Sequence, residues 1–317
     1  MEAAANPDRA ILVAQAGATI AKGSKSFAAA SKLFDPVTRE RAWLLYAWCR
    51  ACDDIADAQE LGHDQQKVTD PAERIARIRN CTAMALAGKP TGDPAFDGLA
   101  IVVDETGMPR RFIDDHIAGF ALDADEWRPR STDDLLRYCY HVAGVVGCMM
   151  AVVMGVAPDD DATLDRACDL GLAFQLANIA RDIEEDDRSG RCYLPEEWLV
   201  EMDFPPGQHM KPPFRKRLTV LARRLATMAG EFEESARFGT PALSYRSAWA
   251  VLAAADIYGG IARKVAAAGD HAWDHRVTTT KAEKLAAIAR AGAQAAGRAR
   301  LYPPTARDAE LWTRPRG

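Results

Sequence analysis

Two stretches of the chain carry polar and acidic side chains at a spacing that could bind a metal. The first stretch, LLYAWCRACDDIAD, covers residues 44–57 and contains Tyr46, Arg50, Asp53 and Asp57. The second, GLAFQLANIARDIEEDD, covers residues 171–187 and contains Gln175, Asn178, Asp182 and Asp186. At about 100° per helical residue, the first set spans about 60° and the second about 80°. Each set therefore forms one stripe on one face of a helix.

Carboxylates one helical turn apart repel each other, and burying them is unfavourable unless they are paired or bind a cation. One interpretation is a solvated face or an internal ion pair with Arg50 and Arg181. The other applies if the two stripes face each other, which would create a strongly negative cleft. Mg²⁺ binds oxygen ligands and is usually held by one or two carboxylates together with substrate phosphates. The stripes thus indicate metal-bridged capture of a phosphorylated substrate.

The elements that must position these stripes are helical. Apolar residues recur at helical period near residues 36–57, 72–87, 94–106, 110–122, 132–155, 159–187, 213–237, 242–267 and 280–298. Short oxygen-bearing side chains at Asp35, at 131–134 and at 159–163 mark three expected helix starts. Residues 88–94, 204–213 and 302–304 are predicted loops. We therefore predict an all-α fold of about ten helices in a single domain, residues 1–317, with about 1–15 and 300–317 peripheral.

The composition excludes several classes of protein. The chain has 317 residues, 48% of them hydrophobic, with 45 acidic and 40 basic side chains and a net charge of −5. Its pI near 5.8 argues against a nucleic-acid partner. The sixteen-residue apolar run at 142–157 is shorter than the roughly 20 residues of a spanning helix, and we interpret it as a core helix. Without a secretory signal, and with seven scattered cysteines, the chain is expected to be cytoplasmic, with reduced thiols.

Other motifs carry less weight. Cys49 and Cys52 form a Cys-x-x-Cys without a second pair, so we assign them no zinc or redox role. The histidines 271 and 275 are interpreted as surface residues, and His141 as a hydrogen-bonded core residue. No glycine-rich phosphate loop is found, so neither ATP nor NADPH is expected. The basic C-terminal residues are interpreted as a solvated end; they are Arg298, Arg300, Arg314 and Arg316.

The motifs resemble those of the squalene/phytoene synthase family, and the resemblance covers some nine-tenths of the chain. It rests on GSKSFAAASKLFD (23–35), LLYAWCRACDDIAD (44–57), RYCYHVAGVVG (137–147), LDRACDLGLAFQLANIARDIEED (164–186), GRCYLP (190–195) and RSAWA (246–250). The order and combination of these motifs are more specific than either acidic stripe alone. The resemblance implies an all-α isoprenoid-synthase fold around a central active-site cavity.

The resemblance also implies roles for individual residues. The residues expected to hold Mg²⁺, with Mn²⁺ left open as a substitute, are Asp53, Asp57, Asn178, Asp182 and Asp186. With Arg50 and Arg181, the four aspartates form the expected catalytic set. The residues expected to contact diphosphate or prenyl chain are Ser24, Ser26, Phe27, Tyr46, Arg50, Gln175, Asn178, Arg181, Tyr258 and Arg276. Aromatic candidates for the cavity wall, each with core packing as the alternative, are Phe27, Tyr138, Tyr140, Phe174 and Tyr258.

The activity implied by the resemblance is head-to-head condensation of two geranylgeranyl diphosphates to phytoene, the first committed step of carotenoid biosynthesis. The alternative is condensation of two farnesyl diphosphates, as squalene and dehydrosqualene synthases perform. A non-catalytic binding or assembly protein is the remote alternative, because both acidic motifs are intact. Neither NADPH nor a nucleic acid is expected. Since substrate and product are lipid-like, we expect a loose peripheral association with membranes.

These assignments predict that Asp53→Asn or Asp182→Asn abolishes turnover while leaving the fold intact. Each substitution removes a negative charge from a proposed metal-binding stripe and preserves side-chain volume. Turnover of prenyl diphosphate and the circular dichroism spectrum of each variant provide the measurements. A variant with near-normal activity would remove that residue from the metal-binding set.

Overall fold

The regular secondary structure in the described part of the chain is helical. The computed structural model describes residues 8–57, 70–125 and 127–316, without the side chains of residues 25, 26 and 29. Every regular element in those ranges is helical, which confirms the all-α prediction. Contacts divide the chain into two compact units, residues 1–125 with 149–159 and residues 126–148 with 160–317. The single-domain organisation stays a prediction.

The first unit is built around the helix that carries the first acidic stripe. Its helices are α1 (Arg9–Gly23), α2 (Lys25–Ala30), α3 (Pro36–Asp57), α4 (Pro71–Leu86), α5 (Pro94–Thr106) and α6 (Arg110–Ala124). Helix α3 contacts α1, α4, α5 and α6 and buries Leu44, Leu45 and Trp48. The Asp35 carboxylate accepts a hydrogen bond from the Thr38 backbone amide at 3.0 Å, which starts the helix as predicted.

Helix α1 packs one apolar face into the first unit, but most of residues 8–15 are exposed, so the expectation that residues 1–15 are peripheral stays a prediction. Helix α1 buries Leu12, Ala16 and Ile20 at four-residue spacing. Its first residue, Arg9, pairs with Glu40 at 2.6 Å and with Glu105 at 2.5 Å. Only three apolar side chains per four turns face inward, so the sequence offered a weak amphipathic signal here.

The second unit is built around the helix that carries the second acidic stripe. Its elements are α7 (Thr132–Cys139), a π-turn (Tyr140–Gly144), the first part of α8 (Val145–Val153), α9 (Asp161–Arg188), α10 (Glu196–Glu201), α11 (Arg215–Arg237), α12 (Tyr245–Ala268) and α13 (Lys281–Leu301). Helix α9 contacts α7, the π-turn, α11 and α12. Its start is capped by the Asp160 carboxylate, which accepts from the Thr163 amide at 3.1 Å.

A single helix was predicted over residues 132–155, and the structure interrupts it with the π-turn. The continuous helical stretch Thr132–Val153 has 22 residues, and its most apolar 18-residue window has a mean hydropathy of 1.5, so by length and composition it could cross a membrane. Within the protein, 61% of its most apolar window is buried. That burial agrees with the interpretation of the apolar run as a core helix.

The backbone of helix α9 packs unusually close to the backbone of the π-turn and the start of α8. A methyl group added to Gly171 would lie 2.2 Å from the Ala143 carbonyl oxygen, and one added to Gly147 would lie 2.2 Å from the Ala167 carbonyl oxygen. Backbone atoms cannot move aside as a flexible side chain can. Glycine at both positions is therefore required by the close approach of the two backbones.

The C-terminal segment is clamped onto the first half of α9, so the interpretation of a solvated end is wrong for Arg314. That side chain is buried, with 3% of the residue exposed, and it pairs with Asp161 and, at 2.9 Å, with Asp165. Arg307 makes a two-pronged contact with the fully buried Asp169 at 2.6 and 2.9 Å. These pairings join residues more than 130 positions apart, and helical periodicity does not report such contacts.

We predict that Gly171→Ala lowers the free energy of unfolding by about 3 kcal/mol or more, because the new methyl group overlaps backbone atoms. The matched control is Gly230→Ala on α11, where an added methyl group meets no atom within 4 Å. The control should be neutral or stabilising by about 0.5–1 kcal/mol, since alanine favours a helix over glycine. Chemical denaturation measures both variants. Equal stability of the two would contradict the predicted overlap.

Candidate functional site

The first acidic stripe lies on the C-terminal half of α3, within the first unit. The Arg50 guanidinium lies 3.5 Å from the Asp53 carboxylate and 4.0 Å from that of Asp54, and its centre lies 6.0 Å from the Tyr46 ring. Asp57, the last residue of α3, is half-buried. Among the described residues, none accepts a hydrogen bond from the buried Nε of Arg50. A buried donor of this kind suits an anionic ligand.

The N-terminal segment of the predicted site lies beside this stripe. The rings of Phe27 and Tyr46 are 5.5 Å apart, and the Ser24 hydroxyl accepts from the Phe27 amide at 3.3 Å. A methyl group on Gly23 would lie 2.8 Å from the Tyr46 hydroxyl oxygen. The predicted contact residue Ser26 has its side chain outside the described residues. Ser24, Phe27 and Tyr46 are thus neighbours in space, as their predicted shared role requires.

The Asp53 carboxyl is held in an environment that disfavours its charge. Burial raises the pKa of Asp53 to about 7, Arg50 opposes that rise, and the carboxylates of Asp57, Asp54 and Asp123 add to it. Yet 38% of the Asp53 side chain remains accessible to solvent. Its charge is therefore only partly compensated by the protein, and an added cation would compensate it further.

The second stripe lies on the C-terminal half of α9, within the second unit. Asp182 accepts two hydrogen bonds from Arg181, one of them from Nε at 2.7 Å. Gln175, Asn178 and Asp186 lie on the same face and are half-buried. The Asp182 side chain is 17% exposed. Opposite charges are thus grouped along one accessible helix face, while Ile179 and Ile183 turn inward.

A second guanidinium, from a distant part of the chain, reaches the same carboxylate. Arg276 donates to Asp182 at 3.1 Å and, through its other terminal nitrogen, to Glu185 at 2.8 Å. The structure thereby brings the predicted residue Arg276 to the second stripe. Glu185 was missed at the sequence level. Around the axis of α9, Glu185 points only about 20° away from Asn178, and this small angle could have placed it in the predicted stripe.

The aromatic candidates divide into two groups. The rings of Phe174 and Tyr258 stack at 4.1 Å, and both residues are half-buried. Tyr138 and Tyr140 are 3% and 0% exposed. Tyr138 stacks on Tyr193, and Tyr140 contacts Trp312. The expectation that Tyr140 lines a cavity wall is therefore wrong, because a fully enclosed ring is a core residue.

The donor chemistry of both stripes fits a hard divalent cation. Carboxylate and amide oxygens are the protein ligands that Mg²⁺ prefers, and it commonly retains waters or phosphate oxygens as its remaining ligands. Asp53 and Asp57 offer such oxygens in the first unit, and Asn178, Asp182 and Asp186 in the second. No three His, Cys, Asp or Glu side chains among the described residues are clustered closely enough to hold a metal by themselves. Ligands from a substrate would complete such a site.

Of the features set aside in the sequence, Cys49 and Cys52 lie on α3 beside the first stripe. All seven cysteines are free thiols, and His271 and His275 are exposed. A surface cavity of about 390 Å³ contains none of the predicted site residues. Its lining is formed by Gly230, Glu233, Glu234, Arg237, Asp256, Arg263, Gln294 and Tyr302. Arg237 pairs there with Glu233 and Asp256, so its charge is already compensated.

The pKa of Asp53 predicts a pH dependence of stability in metal-free buffer. Because the folded pKa of about 7 lies above the ordinary value of 3.8, the folded protein keeps a proton that the unfolded chain releases. Stability therefore falls as pH rises from about 4 to about 7 and is level above that range. We expect Asp53→Asn, which stays neutral, to melt higher than the wild type at pH 8 and equally at pH 4.

Because the Asp53 side chain is partly exposed, we expect Asp53→Asn to raise the free energy of unfolding at pH 8 by only about 1 kcal/mol. This gain corresponds to ~2–4 °C in the melting temperature. Asp114→Asn is the matched control, because Asp114 is exposed on α6 and pairs only on the surface with Arg110. The control should show no such pH-dependent gain. Identical shifts of Asp53→Asn at both pH values would contradict the prediction.

Known proteins resemble this chain over most of its length. The chain is 48% identical over 300 residues to a 15-cis-phytoene synthase of Pantoea ananas, covering 94% of this chain and 96% of that protein. It is 36% identical over 271 residues to a phytoene synthase of Rhodobacter capsulatus, covering 85% and 78%. Among solved structures, a dehydrosqualene synthase in complex with ligand superposes with a TM-score of 0.80 at 26% identity, covering 90% of this chain and 96% of the other.

The family assignment follows from these similarities and from a family model. The model described as squalene/phytoene synthase matches residues 20–283. That range includes both acidic stripes, the N-terminal segment and Arg276, and it confirms the resemblance inferred from the motifs. The chain belongs to the squalene/phytoene synthase family.

Proposed function

We propose that this chain joins two molecules of geranylgeranyl diphosphate head to head to form phytoene, through the cyclopropyl intermediate prephytoene diphosphate. Relatives named phytoene synthase share 43–48% of its residues over 92–96% of its length and support this assignment. The observation that carries it is the grouping of Asn178, Asp182 and Asp186 on one face of α9 beside two guanidinium groups.

The arginines bind and orient the diphosphate. In the first half-reaction the allylic C–O bond of one substrate breaks, and the diphosphate leaves with the electron pair. The guanidinium groups of Arg50, Arg181 and Arg276 each retain N–H donors beyond those used within the protein. Preorganised donors that oppose a developing negative charge are usually the largest contribution to catalysis. We assign each of these side chains to binding diphosphate, Arg50 in the first unit and Arg181 and Arg276 in the second.

The carboxylates hold the cofactor. Asp53 and Asp57 in the first unit, and Asn178, Asp182 and Asp186 in the second, are the residues that would hold Mg²⁺. When bound, Mg²⁺ supplies positive charge that neutralises the diphosphate. The raised pKa of Asp53 supports this role in the first unit, since its negative charge is only partly compensated. In the second unit, the half-buried state of the α9 stripe supports it, since the ligand oxygens stay accessible.

The aromatic residues shield the carbocation. After the diphosphate has left, the double bond of the second substrate attacks the allylic cation, and loss of a proton forms the cyclopropane ring. A second ionisation, rearrangement and proton loss then give phytoene. Water must be excluded throughout. The stacked pair of Phe174 and Tyr258 offers ring faces that favour a nearby cation.

A second candidate function is the same condensation with farnesyl diphosphate. It is favoured by the fold similarity to a dehydrosqualene synthase, at a TM-score of 0.80. The sequence identity in that comparison is 26%, against 48% for the phytoene synthase of Pantoea ananas. We therefore place geranylgeranyl diphosphate first.

A product assay decides between the two substrates. Purified full-length protein is incubated with Mg²⁺, without NADPH, and with geranylgeranyl or farnesyl diphosphate in separate reactions. We expect phytoene from the first substrate and no hydrocarbon from the second. Removal of Mg²⁺ with EDTA should abolish product, and its return should restore it.

Each other outcome has a defined meaning. Dehydrosqualene from farnesyl diphosphate alone would keep the reaction and replace the substrate. Phytoene formed equally well in EDTA would contradict the role of the carboxylates as metal ligands. A folded protein that yields no hydrocarbon from either substrate would contradict the enzymatic assignment and favour a binding or assembly role.

A further inference from the structure

Arg276 lies in a part of the chain that has no regular structure of its own. Residues 276–280 follow the turn at 272–275 and precede α13. The indole of Trp273 anchors the preceding turn, because its nitrogen donates to the Ala180 carbonyl of α9 at 3.1 Å. The backbone near Arg276 is thus tied to α9, whereas the Arg276 side chain is 50% exposed. Contacts of the guanidinium itself must therefore restrict the side chain.

Two carboxylates of α9 provide those contacts. One terminal nitrogen of Arg276 lies 2.8 Å from Glu185, and the other lies 3.1 Å from Asp182. Asp182 is shared, because Arg181 also donates to it twice. Glu185 makes no other ion pair among the described residues. Of the two carboxylates that orient Arg276, Asp182 therefore has a second arginine partner, and Glu185 has none among the described residues.

The two carboxylates also differ in their assigned roles. Under the proposed function, Asp182 binds a cation, and a carboxylate that binds a cation interacts more weakly with a neighbouring guanidinium. Glu185 then becomes the main group that keeps Arg276 beside the stripe. A guanidinium has five N–H donors, and the contact with Glu185 uses only part of them. The remaining donors stay available for diphosphate oxygens.

We infer that Glu185 is a positioning residue, which holds the Arg276 guanidinium at the second acidic stripe so that it binds the substrate diphosphate. This inference rests on the proposed function, since it needs a diphosphate ligand. It assigns Glu185 no contact with substrate. The carboxylate acts through Arg276 alone, and this requirement makes the inference testable by a double-mutant cycle.

Calorimetric binding of inorganic pyrophosphate in the presence of Mg²⁺ provides the test, with the purified full-length protein and its variants. We expect Glu185→Gln to weaken binding about two- to fivefold, the range of a partly exposed ion pair. Arg276→Ala should weaken it about tenfold or more, because a charged donor is lost. The double variant should bind like Arg276→Ala, since Glu185 has no effect once its partner is absent.

The neighbouring Glu184→Gln is the matched control. It makes the same change of charge one residue earlier on α9, where Glu184 pairs with Arg188. We expect wild-type pyrophosphate affinity for this variant. Melting temperatures of all variants should stay close to the wild type, because Glu185 and Arg276 are 46% and 50% exposed. With substrate, Glu185→Gln should raise KM more than it lowers kcat.

Three results would overturn the inference. Glu185→Gln could bind pyrophosphate as Glu184→Gln does. The effects of Glu185→Gln and Arg276→Ala could be additive, in which case Glu185 acts without Arg276. Finally, the wild type could fail to bind pyrophosphate with Mg²⁺, which would also overturn the proposed function. The first two results leave the proposed function intact, so the two failures are distinguishable.

Discussion

Repulsion between carboxylates one turn apart, on helices whose other faces are buried, is the constraint on which the rest of the molecule depends. Helix α9 carries such carboxylates in both of its halves, and in each half arginines offset the repulsion. In its first half, Asp161, Asp165 and Asp169 repeat at four-residue spacing and are paired with arginines of the C-terminal segment. In its second half, Asp182 is paired with Arg181 and Arg276. In each half, at least one paired arginine comes from a position distant in sequence.

Burial distinguishes two acids of the first half, Asp165 and Asp169, from the half-buried second stripe. Asp169 is fully buried, and a buried, hydrogen-bonded pair with Arg307 cannot exchange its partner without leaving an isolated charge. At the second stripe, the Arg276 side chain is half-exposed and its contacts are weaker. The buried acids Asp165 and Asp169 therefore serve the architecture, while the acids of the second stripe can exchange a guanidinium for another cation. Spacing is the same in both sets, so spacing alone could not assign these roles.

The elements that local patterns control were predictable, and those that depend on distant contacts were not. Helical period and the caps at Asp35 and Asp160 located α3 and α9 within two residues. The π-turn at 140–144 was missed, because it lies where the chain approaches α9 across glycines. The burial of Arg314 and the contact of Glu185 with Arg276 were also missed, because both depend on tertiary contacts. Each depends on residues far apart in the chain.

The crowding that suits the first stripe to binding a cation also makes its charge unfavourable in the metal-free protein. Burial and neighbouring carboxylates raise the pKa of Asp53 to about 7, which means that its ionised form destabilises the folded state. A cation that binds only the folded chain offsets that repulsion and stabilises the fold by mass action. Arg50 thus compensates the negative charge of Asp53 on α3 only in part. Metal affinity and the instability of the metal-free site share one physical origin, so a substitution that relieves the repulsion also removes the reason to bind a cation.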